Sequence, residues 1–366
     1  MADATLRDVA QAAGCSVATV SRVMVGNRPV GAETARRVRA AAERLGYRPN
    51  QVARALRSRS TGTVGLVLPQ IINPFFPSLV RELEHALHAN GRALLLADCD
   101  DNPDTEAARI NALLARQVDA LVVIPVDEQR SRAAVAAAAA QLPLLVLDRS
   151  CGHSVADSVA VDNATGMALV LDHLAQTGRR RLCFLGAAGA DSAAVERRAA
   201  YEAGAAALDP QAPGRVELGD FSAEWGAAAV DRVWPAQPDA LVCANDLIAV
   251  GALQRLRQLG VRVPDEVAVT GFDDTDIATV SEPALTTIRQ PVAGLAAEAA
   301  RLLELRLAQK DAPEPRRTVR LVPDLVVRAS SAAGTADPAG PARAERVIGG
   351  PDRPAPADLL PAPPSL

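Results

Sequence analysis

Aromatic and hydrogen-bonding side chains recur just after short apolar segments of this sequence. Only 2% of the 366 residues are aromatic, yet three of the five phenylalanines stand at such positions, beside Asp, Asn, Arg and Gln. Flat aromatic faces combined with directed hydrogen-bond partners suit a polyhydroxylated ring, because each ring hydroxyl needs its own partner. The predicted binding residues are Phe75, Phe76, Asp148, Arg149, Asp191, Arg197, Phe221, Asn245, Asp273 and Gln290.

Two alternatives stay open for this set. Any single charged member has an ordinary explanation as a solvated loop residue or a helix cap, and Asp246 and Asp274 are plausible caps. A purine stacked on Phe221 would also use an aromatic face and polar partners. The set as a whole favours a small-molecule site, with a sugar-like ligand preferred to a purine.

The sequence lacks the usual motifs of catalysis and metal binding. His85 and His88 have no acidic or cysteine companions, and Asp273 and Asp274 are neighbours rather than a spaced acid–base pair. There is no G-x-S-x-G and no P-loop, and the five cysteines are scattered without a C-x-x-C pair. We therefore predict that the chain is not an enzyme and binds neither a metal nor a cofactor.

The elements that must position these residues follow from the rhythm of the chain. From residue 62 onward, apolar segments such as TVGLVLP and VDALVVIP alternate with amphipathic or alanine-rich stretches. This alternation is typical of an α/β fold with parallel sheets. We predict ten such strands, the last of them LVPDLVVR, and a cleft at the carboxyl ends of the strands.

The first sixty residues form a basic module in front of an acidic body. They contain eleven Arg, no Lys and four acidic residues, which is a net charge of +7. Because the whole chain carries −4, the other 306 residues carry −11. A basic module of this kind is typical of a nucleic-acid-binding domain.

This module has the pattern of a helix-turn-helix head. Thr5 and Asp8 form an acidic variant of a capping box, Gly14 ends the first helix, and Ser16 begins the second. In this geometry the second helix enters the major groove of DNA. A third helix over roughly residues 32–45 is expected to turn Ala35, Val38, Ala42 and Leu45 toward the core.

The second helix supplies the candidate base contacts. Val17 and Ala18 lie in its first turn and are suited to apolar contact with thymine methyl groups. Arg22 is the candidate for a bidentate contact to guanine. The predicted DNA-binding residues of the head are Thr5, Ser16, Val17, Ala18, Thr19, Ser21, Arg22 and Asn27.

A short segment, residues 50–58, joins the head to the body. Its sequence NQVARALRS places apolar side chains at helical spacing among arginines, whereas a plain linker, the alternative, would favour Gly and Ser. Nine residues are too few for a stable isolated helix, so we expect the segment to be mostly disordered alone. Its predicted DNA-binding residues are Asn50, Ala53, Arg54, Leu56 and Arg57.

Two strings together, DVA…AG-x-S-x-x-TVSRV and Y-x-PN-x-x-A-x-x-L, resemble the signature of the LacI/GalR family of bacterial repressors. The likeness extends from residue 5 to about residue 329. Val25 departs from the family pattern where Asn is usual, which is expected to remove a backbone contact to DNA. Gly31 replaces the usual Ser cap of the third helix, at an expected cost of about a few tenths of a kcal/mol.

The resemblance implies a helix-turn-helix head and a two-lobed, periplasmic-binding-protein-like α/β body. It also implies that residues 50–58 fold into a hinge helix only on DNA, where Leu56 enters the minor groove as a wedge that kinks the duplex. The strings NPFF, LDR, AND, GFDD and LTTIRQP match effector-contact or lobe-hinge positions of the family. The implied lobes are 62–161 with 292–320, and 162–289 with 323–329, joined by three crossovers.

The expected domains are a head (1–49), a hinge (50–60), an effector-binding and dimerisation body (61–330) and a disordered Pro/Ala-rich tail (331–366). Prolines interrupt the few leucines of the tail, so a homodimer is favoured over a leucine-heptad tetramer.

An exported ligand carrier or a sugar-processing enzyme would be the opposing class for such a body. The sequence shows no secretory signal and no apolar run of transmembrane length, so we expect a cytoplasmic protein without membrane contact. The basic head disfavours both alternatives. The sequence therefore predicts an effector-responsive repressor that binds a pseudo-palindromic DNA operator as a homodimer.

Overall fold

The computed structural model describes residues 4–25, 29–47, 60–152, 155–209, 214–308 and 315–332. The predicted hinge segment 50–58 and the tail beyond residue 332 lie outside these ranges.

The ordered body extends slightly further than the sequence predicts. Ser331, expected at the start of the tail, is buried, and its hydroxyl donates a hydrogen bond to the Thr286 hydroxyl at 2.7 Å. The same hydroxyl lies 2.7 Å from Nε2 of His173. These contacts place residue 331 in the body rather than in the predicted tail.

Three helices form the head, namely α1 (Leu6–Ala13), α2 (Val17–Val25) and α3 (Ala32–Arg44). The predicted capping box is present, since the backbone N–H of Thr5 donates to Asp8 and that of Asp8 donates to the Thr5 hydroxyl. Gly14 ends α1 with φ at 60°, a conformation that glycine adopts without steric cost. The sharp turn between α1 and α2 follows from this glycine.

One fully buried valine from each helix forms the centre of the head: Val9, Val20 and Val38. The prediction that Leu45 joins this core is wrong. Helix α3 ends at Arg44, and Leu45 at its C-terminus is 38% exposed. Ala41 is buried in the core instead, because it lies one turn earlier on the inner face.

The described part of the body contains two six-stranded sheets. The first sheet has the order β11-β5-β4-β3-β1-β2 and the second has the order β12-β10-β9-β8-β6-β7. The strands of the first sheet are β1 (Thr63–Leu68), β2 (Ala93–Asp98), β3 (Ala120–Val123), β4 (Leu144–Leu147), β5 (Asp157–Val161) and β11 (Thr318–Leu321). Those of the second are β6 (Leu182–Ala187), β7 (Arg215–Gly219), β8 (Ala240–Cys243), β9 (Ala268–Asp273), β10 (Thr286–Arg289) and β12 (Asp324–Val326).

Helices cover both faces of each sheet, which explains why the inner strands β3 and β4 are apolar at every position. With the first sheet, lobe 1, pack α4 (Phe75–Ala89), α5 (Pro103–Ala115), α6 (Arg132–Ala139) and α12 (Val292–Ala308). With the second sheet, lobe 2, pack α7 (Asn163–Gln176), α8 (Ser192–Leu208), α9 (Ala223–Val233), α10 (Asp246–Gln258) and α11 (Asp276–Val280). Within the described ranges, none of the helices combines the length and the apolar character needed to cross a bilayer.

The chain passes between the sheets three times: after β5, after β10 and after β11. The segment LVPDLVVR, predicted as one strand, is split in two, because Pro323 lacks the N–H that a continuous ladder needs. Strand β10 was not predicted, and it pairs antiparallel with β12 but parallel with β9. The strand was missed because Thr286 and Thr287 look polar in the sequence, although both are fully buried.

Helices α9 and α10 touch backbone to backbone in lobe 2. A Cβ atom at Gly251 would lie 1.9 Å from the carbonyl oxygen of Ala223, and one at Gly226 would lie 2.1 Å from that of Ile248. Both distances are far below contact distance. The two glycines therefore set how closely the helices approach.

We predict that Gly251→Ala lowers the free energy of unfolding by about 3 kcal/mol, because the added methyl group meets backbone that cannot move aside. Gln254→Ala, at an exposed position of the same helix, should change it by less than about 0.5 kcal/mol. Urea denaturation followed by circular dichroism measures both. Equal stabilities for the two variants would show that the helices separate easily.

Candidate functional site

All ten side chains predicted as ligand contacts line one cavity between the two sheets. Asn73 and Ala193, which were not predicted, complete the wall. Asn73 stands directly before the Pro-Phe-Phe string, so its position in the motif was the signal that could have identified it.

Strand ends and helix starts deliver these residues. Asp148 and Arg149 follow β4, Asp273 ends β9, and Gln290 follows β10. Parallel strands bring their carboxyl ends to one edge of a sheet, and the two edges face each other across the cleft. The rest come from helix starts and one strand-end loop: Phe75 and Phe76 begin α4, Asp191 caps α8, Arg197 lies in α8, Asn245 caps α10, and Phe221 follows β7.

Asp148 presents an unsatisfied acceptor to the cavity. It is buried with φ at 64°, a left-handed conformation that non-glycine residues rarely adopt. Its Oδ1 atom has no hydrogen-bond partner among the described residues. Burial raises the pKa of Asp148, while Arg149 and Arg197 oppose that rise. A buried acceptor of this kind favours a ligand that donates a hydrogen bond.

Arg149 reaches across the cleft from lobe 1. Its Nε lies 3.5 Å from Oδ1 of Asp191 in lobe 2, and both side chains are buried. The guanidinium also lies 5.7 Å from the ring centroid of Phe76, within cation–π range. Arg149 therefore bridges the two lobes.

Arg197 forms the base of the lobe 2 wall. Its Nε donates to Oδ1 of Asn163 at 2.8 Å and its Nη1 donates to the carbonyl oxygen of Ala244 at 2.8 Å. Its Nη1 is 3.6 Å from Oδ1 of Asp273, and the guanidinium stacks 3.7 Å from the ring centroid of Phe272. The shorter hydrogen bonds of Arg197 thus go to neutral acceptors.

Asn163 was missed by the sequence reasoning. It is buried at the start of α7 and holds Arg197 through its Oδ1 while its Nδ2 donates to Glu196 at 2.8 Å. Its location directly after the SVAVD strand was a signal, because other strand ends of this chain carry cleft residues.

Asp273 is a buried carboxyl whose neighbours do not fully offset the cost of burying its charge. Its φ is 116°, and Gln290 Nε2 donates to its Oδ1 at 2.7 Å. Burial raises the pKa of Asp273 to about 8, against the opposing charge of Arg197. Oε1 of Gln290, which lines the cavity, has no hydrogen-bond partner within the described part of the chain, so it is a second unsatisfied acceptor.

Asp246 supports this wall from beneath and does not cap a helix. It accepts hydrogen bonds from the backbone N–H of Thr275 at 2.8 Å and from the Thr287 hydroxyl at 2.6 Å. Asn245 caps α10 in its place. Burial raises the pKa of Asp246 to about 6.

Asp274 is not a cap either. It accepts hydrogen bonds from Arg289 and Arg328, each at 2.6 Å, so its charge is balanced by two cations outside the cavity. The cap explanation considered for Asp246 and Asp274 is therefore wrong.

The lobes are closed upon each other in this conformation. Besides the Arg149–Asp191 contact, the N–H of Ser150 donates to the Ser192 hydroxyl at 2.7 Å and that of Glu128 donates to the carbonyl of Ala190 at 3.1 Å. The cavity has a volume of about 20 Å³, room for roughly one water molecule. Entry of a sugar-sized ligand therefore requires the lobes to separate.

The predicted DNA contacts of the head differ in exposure. Ser16, Val17, Ala18 and Arg22 are exposed, with Val17 at 40%. Thr19 and Ser21 are half-buried, and the Ser16 and Thr19 hydroxyls lie 2.9 Å apart. Thr5 is exposed, but its hydroxyl donates to Asp8 in the capping box. Asn27 and the predicted contacts at 50, 53, 54, 56 and 57 lie outside the described residues.

Among the described residues, no group of three His, Cys, Asp or Glu side chains is placed to hold a metal ion. Four cysteines are buried and Cys15 is half-buried, as expected for small apolar side chains.

Two family models match the chain. The model described as bacterial regulatory proteins, lacI family, matches residues 5–50, and the model described as periplasmic binding protein-like domain matches residues 171–331. Among curated relatives, the HTH-type transcriptional repressor PurR of Aliivibrio fischeri (strain MJ11) is 30% identical over 332 residues, which is 89% of this chain and 98% of that protein. PurR of Mannheimia succiniciproducens is 31% identical over 336 residues with the same coverage.

Solved structures of similar proteins extend the comparison. The lac repressor dimer bound to operator and the anti-inducer ONPF is 27% identical, with a TM-score of 0.79 over 90% of this chain and 99% of that one. A complex of the transcriptional regulator CelR with cellobiose is 31% identical, with a TM-score of 0.66 over 90% and 100%.

We predict that the free energy of unfolding of the protein without effector decreases as the pH rises from about 4 to about 8. The folded state keeps the Asp273 proton to about pH 8, whereas the ordinary value is 3.8, so the folded state binds more protons in this window. Asp273→Asn should flatten this dependence, and the variant should gain on the wild type as the pH rises.

Urea denaturation at several pH values between 5 and 8 measures this effect. Asp172→Asn, an exposed change on α7, should follow the wild-type curve. If the difference in free energy of unfolding between Asp273→Asn and the wild type stayed constant with pH, the pKa of Asp273 would not be raised in the folded state.

Proposed function

The chain belongs to the LacI family of bacterial regulatory proteins, and we propose that it is a repressor that binds a pseudo-palindromic operator as a homodimer and responds to a sugar-like effector in the interlobe cleft. It is a DNA-binding transcriptional regulator, like its relatives, which are transcriptional repressors rather than enzymes. We propose that it acts in the cytoplasm, where bacterial DNA lies.

The convergence of the ten predicted residues on one cleft is the observation that carries the effector proposal. Among the described residues, the buried acceptors of Asp148 and Gln290 lack donors, and the Arg197 guanidinium lines the same cavity. A ring with several hydroxyls supplies donors and acceptors in fixed directions, and so satisfies such a wall.

A sugar fits this chemistry better than a purine. The cavity combines two arginines with carboxyl and amide groups, and the similar regulator CelR forms a complex with cellobiose. A purine stacked on Phe221 is the alternative, since this ring is half-buried at the cleft and offers an aromatic face.

The exposed face of α2 supports operator recognition. Val17 and Ala18 stand in its first turn and Arg22 one turn later, all accessible to a major groove. The net charge of +7 on residues 1–60 provides affinity for phosphates. Beyond the described residues, we propose that segment 50–58 folds on DNA and that Leu56 acts as its minor-groove wedge.

Exposed apolar side chains support a homodimer. Ile72 is 81% exposed in lobe 1 and Val280 is 79% exposed in lobe 2. Leu96 is 39% exposed on β2, an edge strand of the first sheet. Apolar residues on the surfaces of both lobes suit a two-fold contact between equivalent surfaces.

Two assays of the purified chain test this function. Selection from random DNA should enrich a palindromic sequence, and thermal-shift screening should find a ligand among sugars rather than nucleobases. Asp148→Asn should abolish the shift, whereas Asp104→Asn, exposed at the start of α5, should keep it. Nucleobases as the only ligands would overturn the sugar assignment, and selection without enrichment would overturn operator binding.

We predict that Arg22→Ala weakens binding to the selected operator roughly 10- to 100-fold, because a bidentate base contact is lost. Binding to scrambled DNA should change only a few-fold. Arg37→Ala removes the same charge from an exposed position of α3 and should weaken both complexes about equally. Titration of labelled DNA at fixed salt measures these affinities, and a uniform loss for Arg22→Ala would reassign it to phosphate contact.

A further inference from the structure

The chain enters the body at Ser60–Gly62, and Asp119 binds this entry segment. Its carboxylate accepts hydrogen bonds from the Ser60 hydroxyl at 2.5 Å, the Thr61 N–H at 2.6 Å and the Gly62 N–H at 2.9 Å. The Thr61 hydroxyl donates as well, at 3.0 Å. Burial acts to raise the pKa of Asp119, but the hydrogen bonds from Ser60, Thr61 and Gly62 outweigh it and hold that pKa below its ordinary value.

Arg92 links Asp119 to helix α12. Its Nη1 donates to Asp119 at 3.0 Å, while its Nε and Nη2 donate to the carboxylate of Glu304 at 2.8 and 3.1 Å. The Asp119 side chain is 8% exposed and that of Arg92 is 19% exposed. Ion pairs shielded to this degree hold a defined geometry better than exposed ones.

Helix α12 connects this cluster with the cleft. It begins at Val292, two residues after the cleft residue Gln290, and Glu304 lies near its other end. The twelve residue steps from Val292 to Glu304 span about 18 Å of helix. A rigid element therefore runs from the effector cleft to the entry segment.

Lobe 2 contains a similar aspartate before one of its central strands. Asp239 precedes β8 as Asp119 precedes β3, in the similar strings PDALV and VDALV. It accepts hydrogen bonds from the N–H groups of Arg180 and Arg181 at 3.0 and 2.9 Å. Asp239 thus has the same structural task of fixing the start of a central strand.

We propose that Asp119 is a positioning residue that fastens the body end of segment 50–58 to helix α12, so that movement of the lobes at the cleft reaches the operator-binding segment. The inference rests on the proposed function of the chain as an operator-binding regulator. We call the hydrogen bonds between Asp119 and Ser60–Gly62 the anchor. Without the anchor, the body end of segment 50–58 is no longer held in place, so specific operator binding weakens. The electrostatic attraction of its arginines to phosphates persists.

Full-length Asp119→Asn and Asp239→Asn test this proposal as a matched pair. Operator DNA is first selected with the wild type, and each variant is then titrated with that DNA and with scrambled DNA. We expect Asp119→Asn to lose at least about tenfold in operator affinity, and to keep its affinity for scrambled DNA within about twofold. Asp239→Asn should keep both affinities within about twofold. The decrease in Tm should be similar for the two variants.

The outcomes separate the anchor from the function beneath it. Equal operator affinities for the two variants would overturn the anchor alone, and so would a parallel loss on operator and scrambled DNA. A wild type that selects no palindrome would overturn the proposed function and the anchor with it. If Asp119→Asn fails to fold, Thr61→Val carries the test, and unchanged operator affinity for that variant contradicts the anchor.

Discussion

A buried guanidinium, that of Arg197, is the charge around which the effector cleft is built. A buried cation is tolerated only when its N–H groups find acceptors, and here they come from Asn163 and Ala244, with Asp273 nearby. The ring of Phe272 covers its flat face. These partners lie on α7, beyond β8 and on β9, so satisfying one charge fixes the mutual positions of three elements.

Because these contacts hold the elements of lobe 2 together, we expect conformational change to occur where the two lobes meet. The lobes meet through a few contacts, including Arg149–Asp191 and Ser150–Ser192, and are joined by three crossovers. A ligand larger than the small closed cavity must change their separation, and it shifts the equilibrium only by its different affinity for the two arrangements. Coupling between two sites of a protein is typically about 1–3 kcal/mol. That range is sufficient for a regulator that changes operator affinity several-fold or more.

The sequence predicted the cleft well because parallel strands place their carboxyl ends together. A residue that follows an apolar segment could therefore be placed at the cleft without knowledge of long-range contacts. The same logic failed for β10, where two buried threonines satisfy their hydroxyls internally and look polar in the sequence. It failed for Leu45 because helix ends are poorly defined by periodicity.

Other features depend on contacts that only folding creates. Asn163 meets Arg197 across 34 positions of the chain, and Asp119 meets Ser60 across 59. Asp246 looked like a cap because it begins a helix, yet its carboxylate turns inward to Thr275 and Thr287. The closure of the lobes, and with it the small cavity, has no local sequence signal at all.

The central claim is that cleft occupancy decides whether the segment that joins head and body is ordered on DNA. Amide hydrogen exchange of residues 50–58 in the operator complex, with and without the ligand found by screening, measures this directly. The account predicts that exchange of these amides differs by at least about tenfold between the two states, while amides of the head's Val9–Val38 core change little. Identical exchange of residues 50–58 in both states, with the ligand bound, would contradict it.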